Sequence, residues 1–404
     1  MQNGSGMGSF RINLTSQWVA TLYTAAVSLG LTFVLGRVLG PEDFGAYSYI
    51  LTIATLFFIF QEGGFKTLLF RERTLPSEGL KIDGDRLFSW ALGHTLMTTG
   101  AGVLLAWGLL TRYGLGTAVA VICFGCHAVV NFVSSELRAD GLFPRDALWQ
   151  ASARTLGAVG ILVGLYLVRP VPWAIFAGWS LGLLVCLFFS PRPVPRPSFG
   201  GFRVRDIRKA CVYLMAIDAA TTVYYRCDII LLEHLTGPTT VGYYAAAYRF
   251  LDGVVLLATP LGIIWFRKLR MAWQEEDRFW RQIGMMSIIM LSAACGIVLV
   301  GSLFSREMVT LAFGDDYAEA AGLLPWLLGA LVFLLPNGIL TQAAIARNGE
   351  RLYAVAAVGG AVLNVGLNLF LIPQFGGLGA AWATIATEAL LMMVLILGLK
   401  RRGG

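Results

Sequence analysis

Long apolar runs separated by short loops constrain this chain more than any other feature of its sequence. We count twelve runs, each near the ~20 residues that a helix needs to cross the hydrocarbon core of a bilayer. Backbone N–H and C=O groups in lipid must bond within the protein, so these runs are predicted to be helices rather than strands. Only 14% of the 404 residues are charged and 57% are hydrophobic, whereas soluble domains carry about 25% charged residues. The sequence therefore predicts an all-α polytopic membrane protein.

The basic residues of the loops predict how these spans are oriented. The predicted spans are residues 14–39, 42–65, 87–110, 116–137, 147–168, 172–190, 210–235, 241–266, 282–304, 322–345, 353–373 and 376–398. With the N-terminus on the cytoplasmic side, 24 of the 31 Lys and Arg residues fall in cytoplasmic segments and four in outer loops. Basic loop residues are retained in the cytoplasm, so both termini are predicted to be cytoplasmic. The same asymmetry explains the net charge of +7 without a nucleic-acid partner.

A short motif occurs twice, about half a chain length apart. Residues 40–47 read Gly-Pro-x-x-apolar-Gly-x-Tyr, and residues 237–244 repeat this pattern at an offset of 197. Gly-Pro pairs mark turns because Pro lacks an N–H and Gly permits unusual dihedral angles. Four identities in one frame favour an internal duplication over two unrelated helix junctions. We predict two similar six-span halves, residues 1–190 and 210–404, joined by a basic cytoplasmic linker at 191–209.

Several charged residues lie inside the predicted spans, where charge is costly unless it faces a bundle interior or water. Arg226 and Arg249 flank the second Gly-Pro turn, and a rise of ~1.5 Å per residue places both guanidinium groups about 12–14 Å from the outer face. Arginine suits phosphate because its planar fork presents several donors and stays charged. The candidate substrate-binding residues are Arg37, Arg154, Arg226 and Arg249, and the candidate ion-coupling residues are Asp218, Asp228, Asp252 and Glu388.

A purely structural role for these charges remains open at this point. Arg249 and Asp252 are i, i+3 neighbours, a spacing that allows them to neutralise each other. Arg37 lies near the end of its span, so its guanidinium can reach the outer interface instead of a substrate. The same residues therefore fit either ion pairs that hold helices together or contacts to a charged ligand.

Polar residues of other types are interpreted as packing groups. Asn364 and Asn368 share one helical face and are predicted to bond neighbouring helices rather than an ion. His94 and His127 have no metal-ligating partners at suitable spacing and are predicted to pack between helices. The sequence predicts no metal site and no cofactor, and it shows no nucleophile–base pair.

Three stretches resemble signatures of bacterial polysaccharide transporters of the O-antigen flippase type, within the multidrug/oligosaccharidyl-lipid/polysaccharide (MOP) superfamily. These stretches are residues 35–45, 241–249 and 372–381. Arg37 and Arg249 match the arginines of the first-span and eighth-span signatures. The resemblance covers the whole chain and implies two pseudo-symmetric six-helix bundles around a central cavity that opens alternately to each side.

The resemblance also implies a function and its partners. It implies a flippase, not an enzyme, that moves an undecaprenyl-diphosphate-linked oligosaccharide from the cytoplasmic to the periplasmic leaflet of the bacterial inner membrane. A sugar–diphosphate head needs a polar, partly cationic path, which the four arginines would supply. The four acids would bind a coupling proton or sodium ion, and membrane lipids and other polysaccharide-assembly proteins are the further expected partners.

Two other functions compete with this interpretation. An ion-coupled multidrug antiporter of the same superfamily would need a net acidic cavity, whereas cations and acids roughly balance here. A membrane glycosyltransferase or polymerase usually needs a sizeable outer loop with catalytic acids. The longest predicted outer loop, residues 305–321, is too short for such a domain.

Overall fold

The computed structural model describes residues 3–74, 84–109, 112–199 and 205–401, which form helices and connecting turns without a strand. Contacts between residues divide the chain into two compact units. Unit 1 holds Met1–Val34 and Ile50–Thr222, and unit 2 holds Leu35–Tyr49 and Val223–Gly404. One segment of the predicted first half, Leu35–Tyr49, therefore packs within unit 2.

Unit 1 is built around its fourth helix. Its helices are α1 (Asn3–Glu62, which bends at Gly40 and contributes its two ends), α2 (Phe65–Thr74), α3 (Gly84–Leu109), α4 (Gly114–Ala139), α5 (Phe143–Val163, ending in a π-helical turn, Gly164–Val168), α6 (Pro172–Phe188) and the first part of α7 (Arg205–Thr236). Helix α4 packs against α2, α3, α5 and α6, so its apolar face forms the centre of the core.

Unit 2 has a similar arrangement around α12. After the end of α7 come α8 (Pro238–Ala272), α9 (Glu276–Leu303), α10 (Ser305–Phe313), a 3₁₀ turn (Asp315–Tyr317), α11 (Ala318–Gly329), α12 (Leu331–Ala346), α13 (Glu350–Phe375) and α14 (Gly377–Arg401). Helix α12 packs against α8, α9, α13 and α14. The segment predicted to be the longest outer loop thus contains a helix, α10, because its apolar residues Val309 and Phe313 are buried against neighbouring helices.

Long apolar helices make this chain a multi-pass membrane protein. In the described part of the chain, seven helical stretches are long and apolar enough to cross a bilayer. One of them, Thr15–Thr74, is 60 residues long and contains the first two predicted spans, while Asp315–Ala346 joins α11 and α12. The helices α3, α7 and α8 coincide with less apolar predicted spans. The count of twelve crossings is consistent with these helices and stays a prediction.

The two copies of the Gly-Pro motif adopt the same backbone turn. Gly40 has φ 71° and ψ 173°, and Gly237 has φ 93° and ψ 174°. This region of φ/ψ space is essentially closed to residues with a Cβ atom. Pro41 and Pro238 then begin the next helical segment, where a missing N–H costs nothing.

The helices that follow these turns pack on each other through glycine, and the contact is reciprocal. A Cβ atom on Gly45 would lie 1.8 Å from the Pro238 carbonyl oxygen, and one on Gly242 would lie 1.9 Å from the Pro41 carbonyl oxygen. Gly45 and Gly242 are 197 residues apart in the sequence, and so are Pro41 and Pro238. The two motifs therefore contact each other within unit 2 through equivalent backbone atoms.

Arg73 and Arg270 are also 197 residues apart, near the C-terminal ends of α2 and α8, and they make similar contacts. The Arg73 guanidinium donates to Asp140 Oδ1 at 2.9 Å and to Glu136 Oε2 at 2.5 Å. The Arg270 guanidinium donates to Asn348 Oδ1 at 3.0 Å and to the Ala346 carbonyl. Each arginine thus binds the C-terminal end of the central helix of its own unit, α4 or α12.

A buried carboxylate ties three helices of unit 1 together. Asp146, at the start of α5, is 0% exposed. It accepts hydrogen bonds from Ser134 at 2.5 Å, from the Arg138 guanidinium at 2.6 Å and from the Gln17 amide at 3.0 Å. Helices α1, α4 and α5 therefore meet at one fully bonded acid.

The described part of the linker, residues 191–199, is extended and lies on unit 1. The Ser198 N–H donates to the Ser89 carbonyl of α3 at 2.9 Å, and a Cβ on Gly93 would lie 2.1 Å from the Ser198 carbonyl oxygen. Nearer its start, Arg192 forms an ion pair with Asp140. The Pro-rich stretch is thus attached at two points.

Candidate functional site

A polar cluster inside unit 2 brings together several of the predicted site residues. Asp228 of α7 is 5% exposed and accepts a hydrogen bond from the Tyr244 hydroxyl of α8 at 2.5 Å. Its other oxygen accepts the Ile229 N–H at 2.8 Å. Asp228 therefore joins α7 to α8 at a fixed register.

Arg226 lies two residues before this link and is half-buried. Its charge is within electrostatic range of the Asp228 carboxylate and the Tyr248 hydroxyl. Among described residues, however, its guanidinium makes no hydrogen bond or ion pair. The donors of Arg226 thus remain available inside a cluster whose other charged groups are bonded.

Arg249 and Asp252 form the ion pair that their spacing predicts. Arg249 Nη1 lies 3.1 Å from Asp252 Oδ2, and the side chains are 17% and 40% exposed. The Arg249 Nε atom is buried and bonds to no described residue. Arg249 is therefore only partly satisfied by Asp252.

Glu388, the third candidate acid in unit 2, is hydrogen-bonded by a residue of the central helix α12. Glu388 of α14 is 3% exposed and accepts a hydrogen bond from the Asn337 amide of α12 at 2.7 Å. Next to it on α14, Thr387 accepts a bond from Asn364 at 3.3 Å, and Asn368 donates to Asn364 at 2.9 Å. The asparagines therefore link helices, as the sequence predicts.

Arg37 makes a different contact from the one expected of a surface arginine. It is exposed, and its guanidinium donates to the Ala312 carbonyl at 3.0 Å and to the Leu311 carbonyl. These are orphan carbonyls at the end of α10, where a cation also complements the helix dipole. Arg37 thus closes the C-terminus of α10 within unit 2.

The remaining two candidates lie in unit 1. The Arg154 guanidinium of α5 sits 6.0 Å from the centre of the Trp179 ring of α6, a cation–π geometry. Asp218 is exposed in the first half of α7. In the residues that the structure describes, no group of three His, Cys, Asp or Glu side chains has metal-binding geometry.

Sequence reasoning did not identify the groups that position these charges. Tyr244 of α8 and Asn337 of α12 bond to candidate acids on other helices, and Tyr248 precedes Arg249 on α8. The repeated motif singled out Tyr244, but as a turn marker rather than as the partner of Asp228. The signal that could have located them is the requirement that buried acids find donors.

Solved structures of transporters share this fold. The inward closed conformation of the lipid II flippase MurJ superposes with a TM-score of 0.76 at 13% identity, over 95% of this chain and 87% of that one. An outward-facing multidrug resistance MATE family transporter of the MOP superfamily superposes with a TM-score of 0.62 at 14% identity, over 96% and 95%.

Sequence relatives come from bacteria and an archaeon. The succinoglycan biosynthesis transport protein ExoT of Rhizobium meliloti is 26% identical over 335 residues, covering 78% of this chain and 65% of the relative. The capsular polysaccharide biosynthesis protein CapF of Staphylococcus aureus is 23% identical over 91% of this chain and 94% of the relative. The probable low-salt glycan biosynthesis flippase Agl15 of Haloferax volcanii is 26% identical over 54% and 46%. The chain thus spans less than two thirds of ExoT and Agl15, and nearly all of CapF.

The family comparison covers the region that contains both Gly-Pro motifs and all four candidate arginines. Residues 34–322, well over half of the chain, match the family described as polysaccharide biosynthesis protein. The match, the all-helical membrane fold and the transporters that share it agree with one another. This chain is a member of the polysaccharide biosynthesis protein family.

Proposed function

We propose that this protein is a flippase for an undecaprenyl-diphosphate-linked oligosaccharide, moving it from the cytoplasmic to the periplasmic leaflet by alternating access. The observation that carries the proposal is the half-buried Arg226 guanidinium, whose donors bond to no described residue. A guanidinium in the membrane interior is costly without an anionic partner. A diphosphate head group is an anion of matching geometry.

The neighbours of Arg226 fit this role. Asp228 is already bonded by Tyr244, which leaves the Arg226 guanidinium partly uncompensated. Beside its pair with Asp252, the Nε atom of Arg249 bonds to no described residue. Arg37 and Arg154 assist at the two ends of the path in this proposal. The names of the relatives ExoT and Agl15, a transport protein and a probable flippase, and the fold shared with MurJ support the same substrate class.

Coupling to an ion is the second part of the proposal. A proton or sodium ion would bind at one or more of Asp218, Asp228, Asp252 and Glu388. Asp228 and Glu388 are the buried members of this set, and burial disfavours the charged form of a carboxylate, which a bound proton or cation would neutralise. Membrane lipids and other polysaccharide-assembly proteins complete the proposed partners.

A cation antiporter is the alternative that the two buried acids favour. Their carboxylates would then bind a cationic drug or a competing proton. Resistance of cells to cationic dyes on overexpression would support the antiporter. Accumulation of cytoplasmic-leaflet lipid-linked oligosaccharide in a deletion strain would support the flippase.

Replacing Arg226 tests the head-group role directly. We expect both Arg226→Ala and Arg226→Lys to lose most translocation of lipid-linked oligosaccharide, because lysine cannot copy the bidentate contact of arginine with phosphate. Membrane abundance measured in parallel separates lost transport from lost folding. Arg278→Ala is the matched control, since Arg278 pairs with Glu275 at the surface. Normal translocation by a well-expressed Arg226→Ala variant would contradict the proposal.

The proposed location is the bacterial inner membrane, with both termini and the linker in the cytoplasm. We expect a cysteine placed at the exposed Arg196, in a variant without the six native cysteines, to be labelled only after the inner membrane is made permeable. The reason is the retention of basic segments on the cytoplasmic side. Labelling of intact cells at this position by an impermeant maleimide would reverse the topology.

A further inference from the structure

A second group of basic side chains lies inside unit 1, around one indole ring. The Trp179 ring of α6 has the Arg154 guanidinium at 6.0 Å and the His127 ring of α4 at 6.4 Å, centre to centre. A Cβ atom on Gly157 would lie 2.9 Å from Trp179 Nε1, so the glycine lets the indole lie flat against α5. Arg154 and His127 are therefore held against the same aromatic surface.

A lysine joins this pair. The charges of Arg154 and Lys66 both act on His127, which places three basic groups from α2, α4 and α5 within electrostatic range. Lys66 is 45% exposed, and its Nζ lies 4.0 Å from Glu62 Oε1. Lys66 is thus the accessible member of the group, next to the cytoplasmic end of the first helix pair.

Two acids act on Lys66 in the part of the chain that the structure describes. Glu62 accepts a hydrogen bond from Asn131 at 2.8 Å, one turn beyond His127 on α4. Asp218 of α7 is exposed and interacts electrostatically with Lys66. Rings of Phe58 and Phe124 cover the other sides of His127. Among the described residues, Glu62 is therefore the acid that lies nearest to Lys66 on the buried side of this group.

His127 has an unused hydrogen-bonding atom. Its Nδ1 is buried and bonds to no described residue. Buried polar atoms are nearly always bonded, and an imidazole nitrogen that carries a proton donates to an anionic oxygen. In the tautomer that carries its proton on Nδ1, this nitrogen is a donor beside two cations and an aromatic wall, so a ligand that supplies acceptors fits there.

We infer that Lys66, His127 and Arg154 bind the phosphate oxygens of a polyprenyl-diphosphate head group in unit 1. This inference rests on the proposed function and adds Lys66 and His127 to the residues that contact substrate. Lys66 meets the head group first from the cytoplasmic side, Arg154 and His127 hold it against Trp179, and Glu62 is the internal counter-ion that the head group replaces.

Farnesyl diphosphate binding to the purified, full-length protein in detergent tests this site, with farnesol as the ligand that lacks phosphate. We expect farnesyl diphosphate, but not farnesol, to change the tryptophan fluorescence of the wild type. Trp179→Phe should lose that change while radiolabelled farnesyl diphosphate still binds. Lys66→Ala, His127→Phe and Arg154→Ala should each weaken binding by about tenfold or more, the loss typical of one hydrogen bond to a charged group.

Matched variants keep the test decisive. Arg112→Ala removes another unit 1 arginine that lies over an aromatic ring, that of Tyr113 at 5.2 Å, and should bind farnesyl diphosphate like the wild type. Lys66 is half-exposed, so its variant tests binding even if the buried variants unfold. Competition by inorganic pyrophosphate but not by glucuronate would assign the site to phosphate rather than to an acidic sugar.

Three outcomes would overturn the inference. Wild-type affinity in Lys66→Ala and in folded His127→Phe would remove these residues from the site while leaving the proposed flippase intact. Loss of binding in Arg226→Ala alone would place the head group in unit 2 only. A wild type that binds farnesol and farnesyl diphosphate equally would reject both this site and the proposed function.

Discussion

Gly242→Ala should destabilise the protein, whereas Gly253→Ala on the same helix should stabilise it slightly. The new Cβ at Gly242 would lie 1.9 Å from the Pro41 carbonyl oxygen, so the two backbones must separate. Overpacking of this kind costs about 1–3 kcal/mol or more. Gly253 has open space around its Cα, and alanine in a helix interior gains about 0.5–1 kcal/mol over glycine.

Thermal unfolding of the purified proteins in detergent measures this contrast. The reciprocal substitution, Gly45→Ala, should lower the melting temperature about as much as Gly242→Ala. Because each change already forces the same crossing apart, the double variant should lose less than the sum of the two, with a coupling of about 0.5–3 kcal/mol. Equal melting temperatures for Gly242→Ala and Gly253→Ala would show that the crossing is not tight.

Asp146→Ala should be the most damaging substitution in unit 1. It would leave the Arg138 guanidinium, the Ser134 hydroxyl and the Gln17 amide without their common acceptor. Removing one partner of a buried ion pair costs about 3–5 kcal/mol. Arg138 is 34% exposed, so water compensates part of the loss and the lower end of that range is expected.

Membrane abundance and melting temperature measure the effect of Asp146→Ala. Asp85→Ala is the matched control, because Asp85 is 78% exposed and lies 3.5 Å from Arg73. Exposed pairs contribute about 0–1 kcal/mol, so the control should resemble the wild type. Asp146→Asn should fall between the two, since it keeps an acceptor oxygen but loses the charge. Similar behaviour of Asp146→Ala and Asp85→Ala would contradict the role of this network.

Local features of the sequence predicted local features of the structure well. Helices follow from apolar runs because lipid forces backbone groups to bond within each segment. The turns at Gly40 and Gly237 follow from Gly-Pro pairs, and the ion pair of Arg249 with Asp252 follows from helical spacing. Each of these predictions involves residues fewer than five positions apart.

Partners that are distant in sequence were not predictable in the same way. Arg37 bonds to carbonyls 274 and 275 residues away, at the end of a helix that had been interpreted as part of a loop. The bond between Asp228 and Tyr244 spans 16 residues and depends on how α7 packs on α8. Such contacts need the relative placement of helices, which hydrophobic periodicity does not contain.

The site roles of the candidate residues also depend on packing. Arg226 and Arg249 have the same predicted depth in the membrane, yet of the two only Arg249 has an acid partner at bonding distance among the described residues. His127 was interpreted as a packing residue, and the rings of Phe58 and Phe124, which lie against its imidazole, fit that interpretation. Its orphan Nδ1 and its two cationic neighbours are visible only in three dimensions.

The distribution of the chain between the two units has a consequence for protease treatment. Leu35–Tyr49 packs in unit 2, and α7 up to Thr222 packs in unit 1, so a nick in residues 191–199 would yield two fragments that each contribute to both units. The N-terminal fragment would contribute Leu35–Tyr49 to unit 2, and the C-terminal fragment would contribute the first part of α7 to unit 1. Separating them would require pulling Gly45 from Gly242 and the Arg37 side chain from α10. A nicked molecule would therefore migrate as one particle until it is denatured, because the interleaved helices hold it together without the peptide link.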